Sequence, residues 1–261
     1  MSFTKNVRRF MTRRSGTNSS GSARRSKFAL SRSEFFESLE ERVVLSSVGA
    51  FWSISGTVLN LTLGGSKTLT LTSTASSTYT MVVSGGGTLS NTWGAGASNS
   101  YVSSSSNTAT VSTAGQGYFT QINISEVSGQ TGVSLTFADS GSNNYVNPFL
   151  ITLNDTPGAV TFNGSTNFAA TNALSVTTDS KIVVSSGASV STANGSLTFK
   201  ANVADTSTAG ATFGAAGIDI NNATVQVTGT GLLDLEGRGG EGTNTSPYGV
   251  YVRAGGRAIA P

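Results

Sequence analysis

The sequence predicts an all-β protein: a β-solenoid, a right-handed parallel β-helix, over the C-terminal half, a β-rich region ahead of it, and a short helix in a basic leader. Three observations carry this reading. Charged residues make up only 11% of the 261 positions, Gly numbers 32, and Ser and Thr are abundant, so a long soluble helix lacks the Glu and Lys it is usually built from. From Ser53 onward, apolar residues alternate with Ser or Thr in short runs that close on Gly, Asn or Asp, which is the period of a half-buried strand. In the C-terminal half, apolar-x-apolar triplets recur as a unit with one elastic and one nearly constant spacing.

In chain order, residues 1–46 form a leader, 47–157 a β-rich region and 158–261 the solenoid repeats. The leader carries ten Lys or Arg against four Glu, whereas residues 47–261 carry six basic residues against nine acidic ones. The overall charge of +3 therefore belongs to the arm and not to the body, and a nucleic-acid binder, which needs its basic footprint on the folded part, is disfavoured. The arm is too polar to pack and is expected to be disordered. It holds the pairs Arg8-Arg9, Arg13-Arg14 and Arg24-Arg25, yet none is followed by the apolar run that a standard twin-arginine export signal requires.

Between Ser31 and Ser46, Phe35, Leu39 and Val43 share one helical face, and Ser31 with Glu34 fits a capping box. This predicts a short amphipathic helix, too short and too charged to span a bilayer, so no transmembrane segment is expected. Phe36-Glu37-Ser38-Leu39-Glu40-Glu41-Arg42-Val43-Val44-Leu45-Ser46 resembles the N-terminal "LEPR-XLL" sorting segment of large surface or secreted proteins of planctomycete bacteria. Phe36, Leu39, Glu40, Arg42, Leu45 and Ser46 carry the likeness; Glu41 stands where that family usually has Pro, and Val44 where it usually has Leu. The resemblance implies delivery to the cell surface or exterior.

In the body, Thr57–Leu63 and Thr68–Thr72 alternate cleanly on either side of Gly64-Gly65-Ser66-Lys67, which suggests two strands around a tight turn. Residues 84–118 are dominated by Ser, Gly, Asn and Thr and read as a large Ser/Gly-rich loop or irregular section. The repeat follows. Leu174-Ser175-Val176 leads to Ile182-Val183-Val184 and Val190; Leu197-Thr198-Phe199 to Ile218-Asp219-Ile220 and Val225; Leu233-Asp234-Leu235 to Val250-Tyr251-Val252 and Ile259. Only the first connection, residues 177–181, 200–217 and 236–249, varies widely. Insertions at one site are what a stacked coil tolerates, because they bulge from one face without disturbing the ladder. A β-sandwich is the competitor, and the very short strands favour the solenoid. Its right hand follows the general preference of parallel crossovers. The segments from Ala173 through Ile220 and Tyr248 through Val252 also resemble the β-strand-repeat, haemagglutinin-like parts of bacterial surface proteins, a likeness that implies adhesion, matrix building or surface coating.

Chemistry is scarce. With no Cys and no His, thiolate and imidazole metal sites, cysteine nucleophiles and every imidazole-based triad are excluded. Neither catalytic nor cofactor-binding residues are expected. Asp234, Glu236 and Glu241, beside Arg238, form the best acidic cluster, and alternation places Asp234 and Glu236 on the outer face. A calcium site needs about 6–8 oxygens and a glycosidase needs two carboxylates across a cleft, so solvated neighbours by a Gly-rich loop are the simpler reading, with Ca2+ the cofactor to test for. The glycines of 237–242 lack the Lys-Ser/Thr of a phosphate loop. Thr68-x-Thr70-x-Thr72 resembles the threonine rows of ice-binding solenoids, but the middle positions of later strands are Ser175, Val183, Thr198, Asp219, Asp234 and Tyr251, so no hydroxyl array is expected. Phe199, Phe213, Tyr248 and Tyr251 are expected in core or loop packing before any sugar-binding stripe. The expected partners are cell-envelope or extracellular matrix components, polysaccharide among them, together with further solenoid repeats or subunits at the C-terminal end. The function expected is that of a secreted or cell-surface, adhesin-like structural protein. A β-helical polysaccharide lyase or hydrolase, and a capping or spacer fragment of a larger assembly, are the alternatives.

Overall fold

A computed structural model of the protein describes residues 48–261 apart from 76–77, 87, 92–101, 106, 113–118, 128–129, 131, 155–157, 203–215 and 240–247. The leader helix and the sorting segment Phe36, Leu39, Glu40, Arg42, Leu45 and Ser46 lie outside the described residues. Within them every regular element is a strand, and apolar side chains are buried at alternate positions, as strand geometry requires. No helix among them is long and apolar enough to cross a membrane.

The described residues begin with β1 (Val48–Ser55) and β2 (Val58–Leu63), paired antiparallel with Ser55 opposite Val58. Gly56, at φ +59°, takes the first central position of this two-residue hairpin loop, where a side chain would be strained. β3 (Thr68–Ala75) pairs antiparallel with β4 (Thr78–Ser84), β5 (Thr88–Asn91) pairs with β1, and β6 (Val102–Ser105) pairs with β7 (Thr108–Ser112), which pairs in turn with β4.

The hairpin around Gly64-Gly65-Ser66-Lys67 does not form, because β2 belongs to one sheet and β3 to another. Both strands bury their odd-numbered residues, Leu59, Leu61 and Leu63 in one and Leu69 and Leu71 in the other, so the linker turns a corner around shared core instead of doubling back. Ser66 bends there at φ +55°, and Lys67 Nζ donates to the Gly85 carbonyl at 2.6 Å and to that of Gly86. The stretch 84–118, read as a loop, contributes β5, β6 and β7. Its alternation is hidden in composition because hydroxyl residues fill the outward positions of β7 and the buried ones include the small Ala109.

From residue 121 the chain repeats one itinerary through three sheets. β8 (Gln121–Glu126) lies in the first sheet, β9 (Ser134–Phe137) in the second and β10 (Asn144–Tyr145) in the third. The same rotation is made by β11 (Phe149–Leu153), β12 (Ala159–Phe162) and β13 (Ser165–Phe168), and by β14 (Leu174–Thr178), β15 (Lys181–Val184) and β16 (Ser189–Thr192). β17 (Leu197–Ala201), β18 (Ala216–Asn221) and β19 (Thr224–Val227) follow, then β20 (Leu233–Gly237), β21 (Tyr248–Arg253) and β22 (Arg257–Ile259). Each strand pairs in parallel with its counterpart in the next triplet. The parallel ladders start earlier still, β2 on β8 and β3 on β9, and run on through β11 and β12 to either side of residue 157.

In-register pairing stacks like on like. Leu174 lies on Leu197, Ile182 on Ile218 and Val190 on Val225, all fully buried. First-to-second-sheet connections, 179–180, 202–215 and 238–247, vary in length, whereas second-to-third connections, 185–188, 222–223 and 254–256, stay short. One register differs from the sequence reading. Val225 faces Ala258, and Ile259 lies opposite Gln226 on the outer side, 40% exposed. The small Ala258 masks the inward position that the larger Ile259 was expected to fill.

Aromatic rings extend the stacking. Phe137 and Phe162 lie 4.8 Å apart and nearly parallel at 13°, and Tyr145 stacks on Phe168 at 5.1 Å and on Tyr79 at 5.2 Å. The hydroxyls of these tyrosines reach buried polar groups that would otherwise lack partners. Tyr79 donates to Asn147 Oδ1 at 2.9 Å and accepts from the Val146 N–H at 2.7 Å, while the Asn147 amide donates to the Phe119 carbonyl. Ser140 donates to the Tyr145 hydroxyl at 3.4 Å and accepts from the Ser73 N–H at 3.1 Å.

Burial pushes the Tyr145 hydroxyl up from 10.0 to about 12. Between those values the unfolded chain has lost a proton that the folded chain keeps, so stability falls as pH rises through the window. Chemical denaturation at a series of alkaline pH values will show this fall, and Tyr145→Phe will flatten it; an unchanged slope in the variant would contradict the assignment. Truncating a stacked ring will cost far more than trimming the outer face. Phe162→Ala is expected to lose about 3–5 kcal/mol in urea unfolding, and its outward neighbour Thr161→Ala no more than about 0.5 kcal/mol.

Candidate functional site

Alternation on β20 turns Leu233 and Leu235 toward the core and leaves Asp234 and Glu236 on the outer side, as the sequence predicts. Parallel register then decides their neighbours. Asp234 lies opposite Thr198 and Glu236 opposite Lys200. Lys200 Nζ stands 3.0 Å from Glu236 Oε2 and 3.7 Å from Asp234 Oδ2, so one ammonium serves both carboxylates. Its hydrogen bond to Glu236, with the charges of Glu236 and then Asp234, raises the Lys200 pKa above the ordinary lysine range. All three side chains are exposed to solvent, with relative side-chain exposures of 36% for Lys200, 41% for Asp234 and 58% for Glu236. A cation bound by these two acids would have to displace the lysine.

Arg238 anchors through its backbone, donating its N–H to the Ala201 carbonyl at 3.1 Å and accepting from the Asn202 amide at 3.4 Å. Glu241 lies outside the described residues. Among those residues no group of three or more acidic side chains comes together to hold a metal ion. General acid and base chemistry on a sugar bond needs two carboxylates facing each other across a substrate. Asp234 and Glu236 instead stand side by side on one strand.

A second polar group was missed in the sequence. On the outer side of the second sheet, Arg253 clamps Asp219 with two hydrogen bonds, 2.9 Å from Nε to Oδ1 and 2.8 Å from Nη2 to Oδ2. Hydrogen bonding to Asp219, and then its charge, raises the Arg253 pKa. The guanidinium lies 5.7 Å from the centre of the Tyr251 ring, and Tyr251 stacks on Tyr248 at 4.6 Å. Tyr248 and Tyr251 thus pack against each other outside the core, whereas Phe199 is wholly buried and Phe213 lies outside the described residues. The repeat already carried the signal for these pairs: aligning Leu197-Thr198-Phe199-Lys200 with Leu233-Asp234-Leu235-Glu236 sets Lys200 beside Glu236.

The hydroxyl array that the sequence argues against is present. Thr70 pairs with Thr136 and Thr136 with Thr161, while Val82 joins Thr70 to Thr108 on the other side. A second row runs Thr72, Thr80, Thr110. Ser175, Thr198 and Asp234 lie in the first sheet and Val183, Asp219 and Tyr251 at the far end of the second, whereas β4, β7, β9 and β12 are the strands that surround β3. Antiparallel pairing, invisible to a search for parallel repeats, brings β4 and β7 there.

No protein-family model matches the chain, and comparison with curated proteins and with solved structures finds no significant match. Because the Lys200 ammonium already occupies the space between two exposed carboxylates that offer too few oxygens for a calcium site, calcium at millimolar level is expected to leave the melting temperature of the protein where chelator leaves it. A rise in the unaltered protein would show that further oxygens complete a site around Asp234 and Glu236.

Proposed function

We propose that the protein is a secreted or cell-surface structural protein without catalytic activity, an adhesin-like right-handed β-solenoid whose outer faces make its contacts. The observation that carries this is the fixed rotation of successive strands through three sheets, repeated in parallel register from β8 to β22. Such an arrangement offers long outer faces whose side chains vary without disturbing the stacked interior. The Lys200 bridge supports a structural role for the acidic pair over the alternative of a polysaccharide lyase or hydrolase. The basic leader and its sorting-like segment support the destination, and envelope or matrix components, polysaccharide among them, are the partners that go with it.

The three sheets end at β20, β21 and β22, where Leu233, Leu235 and Val250 are only partly buried and Val252 is 42% exposed. Their counterparts Leu197, Phe199, Ile218 and Ile220 are fully buried.

Protease shaving of intact host cells, with mass spectrometry of the released peptides, tests the reading. Peptides from residues 47–261 should be released from cells making the full chain and lost from cells making a chain without residues 1–46. Release only after lysis in both strains would refute surface display. Depolymerisation of a polysaccharide that disappears in Asp234→Asn would replace the structural reading with the enzymatic one.

A further inference from the structure

On the outer face of the second sheet, one row crosses β7, β4, β3, β9 and β12, and a second, Thr110, Thr80 and Thr72, lies beside it on β7, β4 and β3. Strand pairing spaces their residues about 4.8 Å apart across the sheet, and alternation about 6.7 Å apart along each strand. The central row, Thr108, Val82, Thr70, Thr136 and Thr161, is paired residue to residue across all five strands. We infer that this face binds the surface of ice.

Four physical features select that ligand. Threonine is β-branched and stiff about its first side-chain torsion, and the backbone beneath is clamped by ladders on both sides, so hydroxyl and methyl positions are set before anything binds. Each hydroxyl is at once donor and acceptor, like a water molecule. A single threonine gains almost nothing from liquid water, because one hydrogen bond is exchanged for another. A repeated array gains only from a partner that repeats at matching intervals in two dimensions, and solid water is such a partner. The rows themselves carry hydroxyls and methyls and no charge. Charged side chains enter the second sheet further along, at Lys181 on β15 and Asp219 on β18. A sugar chain would be held through aromatic faces, and among the described residues those outside the core on this sheet are Tyr248 and Tyr251, three strands beyond Thr161. The inference rests on strand register alone and stands independently of surface display.

The test uses the full chain and ice itself. Partition of the protein into a slowly growing ice front should enrich it in the solid, and its solutions should show a gap between freezing and melting points. Thr136→Lys, at the heart of the central row, should lose both effects while keeping its far-ultraviolet circular dichroism and melting temperature. Thr177→Lys, on the outer side of the first sheet, should keep both. If Thr136→Lys does not fold, Thr161→Tyr at the end of the row carries the same expectation. Exclusion of the unaltered chain from ice, to the level of an inert carrier protein, would overturn the inference. So would full activity in the row variant, or retention on an insoluble crystalline polysaccharide with no enrichment in ice.

Discussion

Two facts about a strand, that its side chains alternate between faces and that its neighbour in the sheet pairs with it residue for residue, govern nearly everything in this protein. Together they make each side chain's environment depend on the residue one triplet earlier. Val176 is buried against Phe199 and Phe199 against Leu235 because all three occupy one ladder position. A one-residue slip anywhere would turn that column outward and replace it with Ser175, Thr198 and Asp234. The penalty for slipping grows with every triplet that shares the register, which explains how strands of four or five residues suffice.

The corners absorb what the ladders cannot. Asn202 and Asn222 take positive φ, at 54° and 45°, a conformation that Asn tolerates better than other residues with side chains. Gly195 sits where an added Cβ would strike the Asn172 carbonyl, so the chain can pass close to the triplet before it. Between the second and third sheets, the Asp139 carboxylate accepts N–H groups from Gly141 at 3.0 Å and Ser165 at 2.9 Å, and these bonds hold its pKa below the usual range. At the N-terminal end, where the third sheet starts only at β10, the tyrosine, serine and asparagine network around Tyr79 and Tyr145 performs the same service for buried groups.

Register also arranges the surface. It sets Lys200 against Glu236 and brings Arg253 within reach of Asp219. It joins Asn123 to Asn60 by a 2.9 Å hydrogen bond and Ser191 to Asn167 by one of 2.7 Å. The outer faces are therefore differentiated although one backbone plan underlies them. Hydroxyl rows occupy one part of the second sheet, and an aromatic and charged group occupies another.

Composition and alternation were enough to read an all-β chain, the apolar inward positions of the repeat from Leu174 to Val252 and the outward placement of Asp234 and Glu236, because these depend only on the period of the strand. The apolar-x-apolar units also revealed which connection is elastic, since an insertion leaves the flanking triplets recognisable. Pairing was harder to see. Nothing local says that Gly64 to Lys67 turns a corner between sheets, that β3 takes β4 and β9 as its neighbours, or that Thr166 and Thr192 point inward and are buried. Ala258 in place of Ile259 escaped for a related reason, a small residue standing at an inward position. What the sequence determined by itself was which residues share a face of a strand, a matter of bond geometry over two residues. Which strands lie side by side, and hence where the lysine bridge and the threonine rows form, was decided only by tertiary structure, because that choice is made between segments distant in the chain by the core they bury together.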